Sequence, residues 1–185
     1  MPNISVPEEF RSEALEILYE YTGDDNSDFY PDQLEAIYRL VEKRERLMLV
    51  QRTGWGKSAV YFIATKLLRR RGAGPTLLIS PLLSLMRDQI RGATAILTPQ
   101  TINSQNKENW ELIEQSIAED GIDILLISPE RLANRQFMED VMPVVTRRVG
   151  LFVVDEAHCI SNWGHDFRPD YQRIKNVTST LPAVV

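Results

Sequence analysis

Apolar residues near the start of the chain recur at helical spacing. Phe10, Ala14, Ile17, Leu18 and Tyr21 share one side, while Glu8, Glu9 and Glu13 crowd the opening turn. This pattern predicts an amphipathic helix, its first turn favoured by acids near the positive end of the helix dipole. The polar stretch Thr22-Gly23-Asp24-Asp25-Asn26-Ser27-Asp28 predicts a loop. Pro31 suits the first turn of a second helix, with Leu34, Ile37, Leu40 and Val41 on its buried face.

From Arg46 onward the pattern changes to short apolar runs alternating with helical periods. The run LMLVQ (47–51) predicts a strand, followed by a helix from about Lys57 to Arg70. TLLIS (76–80) predicts another strand, followed by a helix over LLSLMRDQI (82–90). A weaker strand is expected near Thr94 to Leu97, then a helix around Trp110, Ile113 and Ile117. DILLIS (123–128) and LFVVDE (151–156) complete the strands, and a terminal helix is expected near Tyr171 to Leu181. Continuous apolar strands joined by helices predict an α/β fold, a mostly parallel sheet with helices on both faces. A ligand then belongs at the carboxyl ends of the strands. The basic run Arg69-Arg70-Arg71 reads as a helix C-terminal turn complementing the dipole rather than as a nucleic-acid patch.

Composition narrows the class. The 185 residues suffice for one ordinary domain, with 43% apolar and 25% charged residues. There is no apolar run of the roughly 18 residues that a membrane span needs, and the opening residues lack the basic-then-apolar order of a secretory signal. A single cysteine, Cys159, excludes an internal disulfide framework and fits a reducing cytoplasm. With 21 basic and 26 acidic residues the net charge is −5, so any contact with nucleic acid must come from a local patch.

Two segments carry candidate chemistry. Thr53-Gly54-Trp55-Gly56-Lys57-Ser58 follows an apolar run and opens a helix, the context a phosphate loop requires. Glycines let the backbone wrap close to phosphate oxygens, and the N–H groups of a helix start supply donors. Lys57 would reach the β- and γ-phosphates and the Ser58 hydroxyl would bind Mg²⁺. The first glycine of the strict phosphate-loop pattern falls on Gln51. The second segment lies 98 residues after Lys57, where Leu151-Phe152-Val153-Val154 ends in Asp155-Glu156-Ala157-His158. Acids directly after four apolar residues are costly to bury unless they face a cation or water. Asp155 would hold Mg²⁺ through water and Glu156 would orient and deprotonate the attacking water. Together the segments point to binding of a nucleoside triphosphate such as ATP. A zinc site at His158, Cys159 and His165 is disfavoured, because adjacent ligands suit tetrahedral geometry badly and no fourth is evident. Cys159 as a nucleophile activated by His158 is equally disfavoured, since neighbours on an extended chain point apart.

The run Asp155-Glu156-Ala157-His158-Cys159-Ile160-Ser161-Asn162-Trp163-Gly164-His165-Asp166-Phe167-Arg168-Pro169-Asp170-Tyr171 resembles the DEAH motif and aromatic-rich loop of RecQ-family DNA helicases. Phe29-Tyr30-Pro31-Asp32-Gln33 resembles the family's motif 0, Ser80 to Gln89 its motif Ia, and Ile102-Asn103-Ser104-Gln105 and Ser128-Pro129-Glu130-Arg131-Leu132 the segments lining its DNA path. Gln51-Arg52 and Trp55 stand where the family more usually has methionine, proline and glycine.

The resemblance implies a three-layer RecA-like P-loop NTPase lobe over 29–185, preceded by a helix and loop over 1–28. Catalysis would rest on Lys57, Asp155, Glu156 and His158, the last linking the nucleotide site to a neighbouring lobe. Tyr30 and Gln33 would meet adenine, an amide offering both the donor and the acceptor that N7 and N6 require. Thr53, Gly54, Trp55, Gly56, Lys57 and Ser58 would hold the nucleotide, with Ser58 and Asp155 on Mg²⁺. Single-stranded or partly duplex DNA would meet Ser80, Asn103, Ser128, Arg131, Trp163, His165, Phe167 and Arg168, with aromatic faces for unpaired bases and Arg168 for phosphate or stacking.

The implied activity is ATP-driven 3′→5′ translocation on single-stranded DNA with duplex unwinding, in the cytoplasm or on a nucleoid. Because relatives place motif III and a second RecA-like lobe beyond this point, the chain alone is expected to lack full activity. The alternatives are a nucleotide- or DNA-binding module without catalysis and an RNA helicase lobe, the aromatic loop arguing against the latter.

Overall fold

Helix α1 spans Glu8–Thr22 and buries Phe10, Ala14, Ile17 and Leu18, as the periodicity predicts. It stops where Gly23 turns left-handed, at φ 69°, and donates its N–H to the Tyr19 carbonyl. Helix α2 covers Gln33–Val41 and buries Ala36, Ile37, Leu40 and Val41. Pro31 lies in the exposed turn ahead of this helix rather than within its first turn. Helix α3, Lys57–Arg70, is the most buried of the three, with Phe62, Ile63, Ala64 and Leu67 inaccessible to solvent or nearly so. The computed structural model describes residues 4–80, 91–102, 110–157, 173, 174 and 177. Among them, no helix is long and apolar enough to cross a membrane.

Among the described residues four parallel strands form one sheet: β1 Thr76–Ile79, β2 Pro99–Ile102, β3 Ile124–Ile127 and β4 Leu151–Val154, ordered β2-β3-β1-β4. Successive strand residues point to opposite faces, so each apolar run feeds two cores. Leu78, Ile124, Leu126 and Leu151 pack with α1, α2 and α3 on one face. On the other face, Leu77, Ile79, Leu125 and Ile127 pack with helix α4 (Trp110–Ala118), a π-turn at Phe137–Val141 and the short helix α5 (Met142–Thr146). The result is the three-layer α/β architecture of a RecA-like domain, with a continuous apolar run wherever a strand is covered on both faces.

Two strand assignments are corrected. The run 47–51 is extended but joins no ladder among the described residues. Leu47 and Leu49 pack against the core, whereas Met48 and Val50 stand 76% and 83% exposed. Alternation is present, yet a strand also needs a neighbour, and among the described residues β4 pairs with β1 alone. The second correction concerns 94–97, where Ile96 and Leu97 bury themselves in a turn whose N–H groups donate to the Ala93 carbonyl. The strand itself begins later, at Pro99. The expected helices over 82–90 and 171–181 fall wholly or largely outside the described residues.

Candidate nucleotide-binding site

Helix α3 is tied to the sheet at its C-terminal half. The buried hydroxyls of Thr65 and Thr76 lie 2.6 Å apart, joining the middle of α3 to the start of β1. Arg69 donates to Asp123, just before β3, and to the Ala73 carbonyl, just before β1. The helix therefore runs back against the strand direction. From Thr65 to Lys57 it rises about 12 Å, and from Thr76 to Ser80 the strand advances about 13 Å. Lys57 thus comes level with the carboxyl ends of the strands. There, register sets Ile127, Ile79 and Val154 side by side, so Ser128, Ser80 and Asp155 emerge in one row. The backbone continues this row, the Asp155 N–H donating to the Ile79 carbonyl at 2.9 Å and the Ser80 N–H to the Ile127 carbonyl at 3.1 Å.

The glycine turn is built from α2 as much as from its own residues. Gly54 and Gly56 take φ of 81° and 85°, conformations that exclude most side chains. A Cβ at Gly56 would meet the Gln33 amide nitrogen at 2.6 Å, so the glycine is also required for close approach. Gln33 is buried and uses both ends of its amide. Its oxygen accepts from the Tyr30 N–H at 2.9 Å, and its nitrogen donates to the carbonyls of Trp55 and Gly56 at 2.8 and 3.3 Å. Lys57 donates to the carbonyls of Gln51 and Arg52 at 3.2 and 3.4 Å, so its ammonium spans the mouth of the turn. The Ser58 hydroxyl accepts from Tyr61 at 3.0 Å. Thr53 and Gly54 are exposed. Tyr30 is 57% exposed, with a ring carbon 3.9 Å from where a Gly56 Cβ would stand. Trp55 is only 8% exposed and belongs to the core shared with α1, α2 and α3.

Asp155 and Glu156 follow β4 in a turn. Glu156 has φ 52°, an uncommon left-handed conformation for a non-glycine residue, and its N–H donates to the Asp155 carboxylate at 3.0 Å. Such strain is stored where the surrounding structure over-determines it, often at functional sites. Nearby, the Ser80 hydroxyl is fully buried with no hydrogen-bond partner among the described residues. Arg131 stacks its guanidinium 5.8 Å from the centre of the Trp110 ring, itself edge-on to Phe137, and its buried Nε has no hydrogen-bond partner among the described residues.

The structure thus describes Tyr30, Gln33, Thr53, Gly54, Trp55, Gly56, Lys57, Ser58, Ser80, Ser128, Arg131, Asp155 and Glu156. Asn103, His158, Trp163, His165, Phe167 and Arg168 lie outside the described residues. Sequence reasoning missed the Gln33 clasp on the loop backbone and the Trp110 platform beneath Arg131. Gln33 lies three and four residues before the buried Ala36 and Ile37, on the inward face of α2, but a polar amide at that position gave no apolar signal. The turn's glycines marked where something must approach closely, but not what.

The oxygen donors available, the Ser58 hydroxyl and the Asp155 carboxylate, match the preference of Mg²⁺ for hard ligands. Comparison with known proteins gives the family. Residues 30–184 match the family model described as DEAD/DEAH box helicase. The chain is 38% identical over 165 residues to the ATP-dependent DNA helicase Q-like 5 of Arabidopsis thaliana, covering 89% of this chain and 17% of that protein. It is 37% identical over 165 residues to the ATP-dependent DNA helicase RecQ of Bacillus subtilis, covering 88% and 26%. With RecQ of Haemophilus influenzae it shares 33% over 171 residues, covering 91% and 26%. The chain therefore spans about a quarter or less of the length of these relatives. It belongs to the DEAD/DEAH box helicase family, and its relatives there are of the RecQ type.

Proposed function

We propose that this chain is the nucleotide-binding motor lobe of a RecQ-like, ATP-dependent DNA helicase. What supports the reading is that α3 runs back along β1 from the Thr65–Thr76 pair while β4 pairs in register with β1, an arrangement that would bring the Lys57 turn and the Asp155-Glu156 turn to the same end of the sheet. In this reading Lys57 exchanges the carbonyls of Gln51 and Arg52 for the β- and γ-phosphate oxygens of ATP, a charge-assisted contact stronger than the neutral one it replaces. The N–H groups at the start of α3 face the same phosphates. Ser58 and Asp155 would hold Mg²⁺, which when bound neutralises charge on the phosphates. Glu156 orients the attacking water and accepts its proton.

Tyr30, exposed beside the turn, offers its ring to the adenine. Gln33 reaches the base only by releasing one of its present partners, so adenine recognition and loop geometry are read by one amide. DNA would run along the row formed by Ser80, Ser128 and Arg131, with Asn103, Trp163, His165, Phe167 and Arg168 contributing and His158 joining the site to a second lobe. Translocation 3′→5′ and duplex separation belong to the two-lobe protein. Loss of an arginine finger supplied by a second lobe costs about 10³–10⁵ in rate. The 185-residue chain is therefore expected to bind ATP·Mg²⁺ weakly, hydrolyse it very slowly and unwind nothing.

The test is residual ATPase of the purified chain with and without single-stranded DNA, compared with Lys57→Ala. Turnover abolished by the substitution supports the reading. DNA binding with no Lys57-dependent turnover replaces it with a non-catalytic module, and preference for an RNA strand in competition would move the chain to RNA.

A further inference from the structure

The glycine turn contains one large apolar residue, and it points away from the solvent. Arg52, Thr53 and Gly54 are exposed, Gly56 and Lys57 are half-buried, and Trp55 between them is buried in the helical core. Two left-handed glycines flank it. Its backbone is held as firmly as its side chain: the Trp55 N–H donates to the Arg52 carbonyl at 3.3 Å, and its carbonyl accepts from Gln33 at 2.8 Å. With glycine at this position, 54–56 would be three consecutive glycines, a segment with far more backbone freedom to lose whenever it closes on a ligand.

We propose that Trp55 is a positioning residue of the phosphate-binding turn: its indole anchors the turn in the core shared with α1, α2 and α3, so that Lys57 moves onto phosphate about a fixed pivot. Trp55 contacts no phosphate itself. It acts through Gly56 and Lys57, which follow it directly, and through Gln33, which grips its carbonyl. Pre-organisation of this kind raises affinity by lowering the ordering cost of binding. The inference rests on the nucleotide-site reading above and specifies how that site is held.

Binding of ATP·Mg²⁺ to the 185-residue chain, measured by titration calorimetry for wild type, Trp55→Gly, Trp55→Phe and Lys57→Ala, separates the two claims. The expected result is a dissociation constant raised roughly tenfold by Trp55→Gly and returned near wild type by Trp55→Phe, whose ring refills the seat. A folded Trp55→Gly chain that binds as wild type overturns the inference while leaving the site intact. Wild-type binding by Lys57→Ala overturns the site itself. Where Trp55→Gly fails to fold, fluorine NMR of the wild-type chain carrying 5-fluorotryptophan decides. The Trp55 resonance, assigned by its loss in Trp55→Phe, is expected to show no solvent-isotope shift before or after ATP·Mg²⁺ is added. A shift that develops on ATP binding means the indole leaves the core, and the pivot is refuted.

Discussion

The two ends of α3 are made from similar residues and do opposite work. At the C-terminal end three arginines are all paired. Arg69 binds Asp120 and Asp123, Arg70 binds Glu16, and Arg71 binds Glu13 and Glu42, so one helix end ties together α1, α2 and the loop before β3. At the N-terminal end Lys57 donates, among the described residues, to carbonyls of its own turn. The same division runs across the sheet. Its amino edge is closed by the Thr65–Thr76 hydroxyl pair and by Arg69, whereas its carboxyl edge carries the Ser80 hydroxyl, unpartnered among the described residues, and the strained Glu156. The amino edge is fixed by satisfied charges, and the proposed site lies at the carboxyl edge, where Lys57 would exchange carbonyls for phosphate.

Substitutions at the two ends should therefore separate binding from stability. Lys57→Ala is expected to have the largest effect, weakening ATP·Mg²⁺ binding on the order of a hundredfold or more, by loss of the charge aimed at the phosphates. Its thermal midpoint should stay within a degree or two of wild type, since the lysine bonds loop carbonyls; a large drop in midpoint would show that the turn also supports the fold. At the opposite end, Thr65→Val strands the buried Thr76 hydroxyl and should cost about 1–3 kcal/mol in a denaturant titration. Its residual ATP affinity should be unchanged, and a change there would mean that the amino edge reaches the site.

Glu156→Gly sharpens the contrast within one residue. Removing the side chain from a left-handed position should raise stability by about 1 kcal/mol while eliminating whatever turnover the chain retains. A loss of stability would mean that the carboxylate makes structural contacts outweighing the strain.

The smallest effect concerns Asp120, which hydrogen-bonds Arg69. That bond, and then the guanidinium charges of Arg69 and Arg148, outweigh burial and hold its pKa below the ordinary 3.8. Arg69 responds in the other direction: burial lowers its pKa, but Asp120 and Asp123 outweigh that and raise it overall. Because the folded value for Asp120 lies below the unfolded one, its stabilisation is present above about pH 4 and fades as pH falls through the folded value. Asp120 is about half exposed, so Asp120→Asn should cost no more than about 1 kcal/mol at neutral pH. The difference should shrink in high salt and at low pH; a difference that persists at pH 2 would place its origin in packing rather than charge.

Much of this was legible in the chain. The runs at 77–79, 124–127 and 151–154 are apolar throughout because both faces of their strands are covered, and the alternation with helical periods identified the parallel α/β class. The glycines at 54 and 56 and the acids at 155 and 156 marked the candidate chemistry, because few other roles need those residue types after an apolar run. The run 47–51 misled, since its alternation is real but its ladder partner is not a property of the run. The arginines 69–71, read as a solvated helix end, turned out to be the junction of three elements, and their partners lie 51 to 58 residues away for most pairs.

Local pattern thus determined the helices Glu8–Thr22, Gln33–Val41, Lys57–Arg70 and Trp110–Ala118, and it marked the apolar runs buried on both sides and the candidate chemistry, because propensity and periodicity act over a few neighbours; the short helical turns between β3 and β4 carried no such signal. Only the tertiary structure decided that Gln33 clasps the glycine turn, that Trp55 turns into the core, and that Lys57 comes level with Asp155. Those outcomes depend on how α2 and α3 are laid against the sheet. That placement is set by burying all the apolar faces at once, a constraint that no single segment contains.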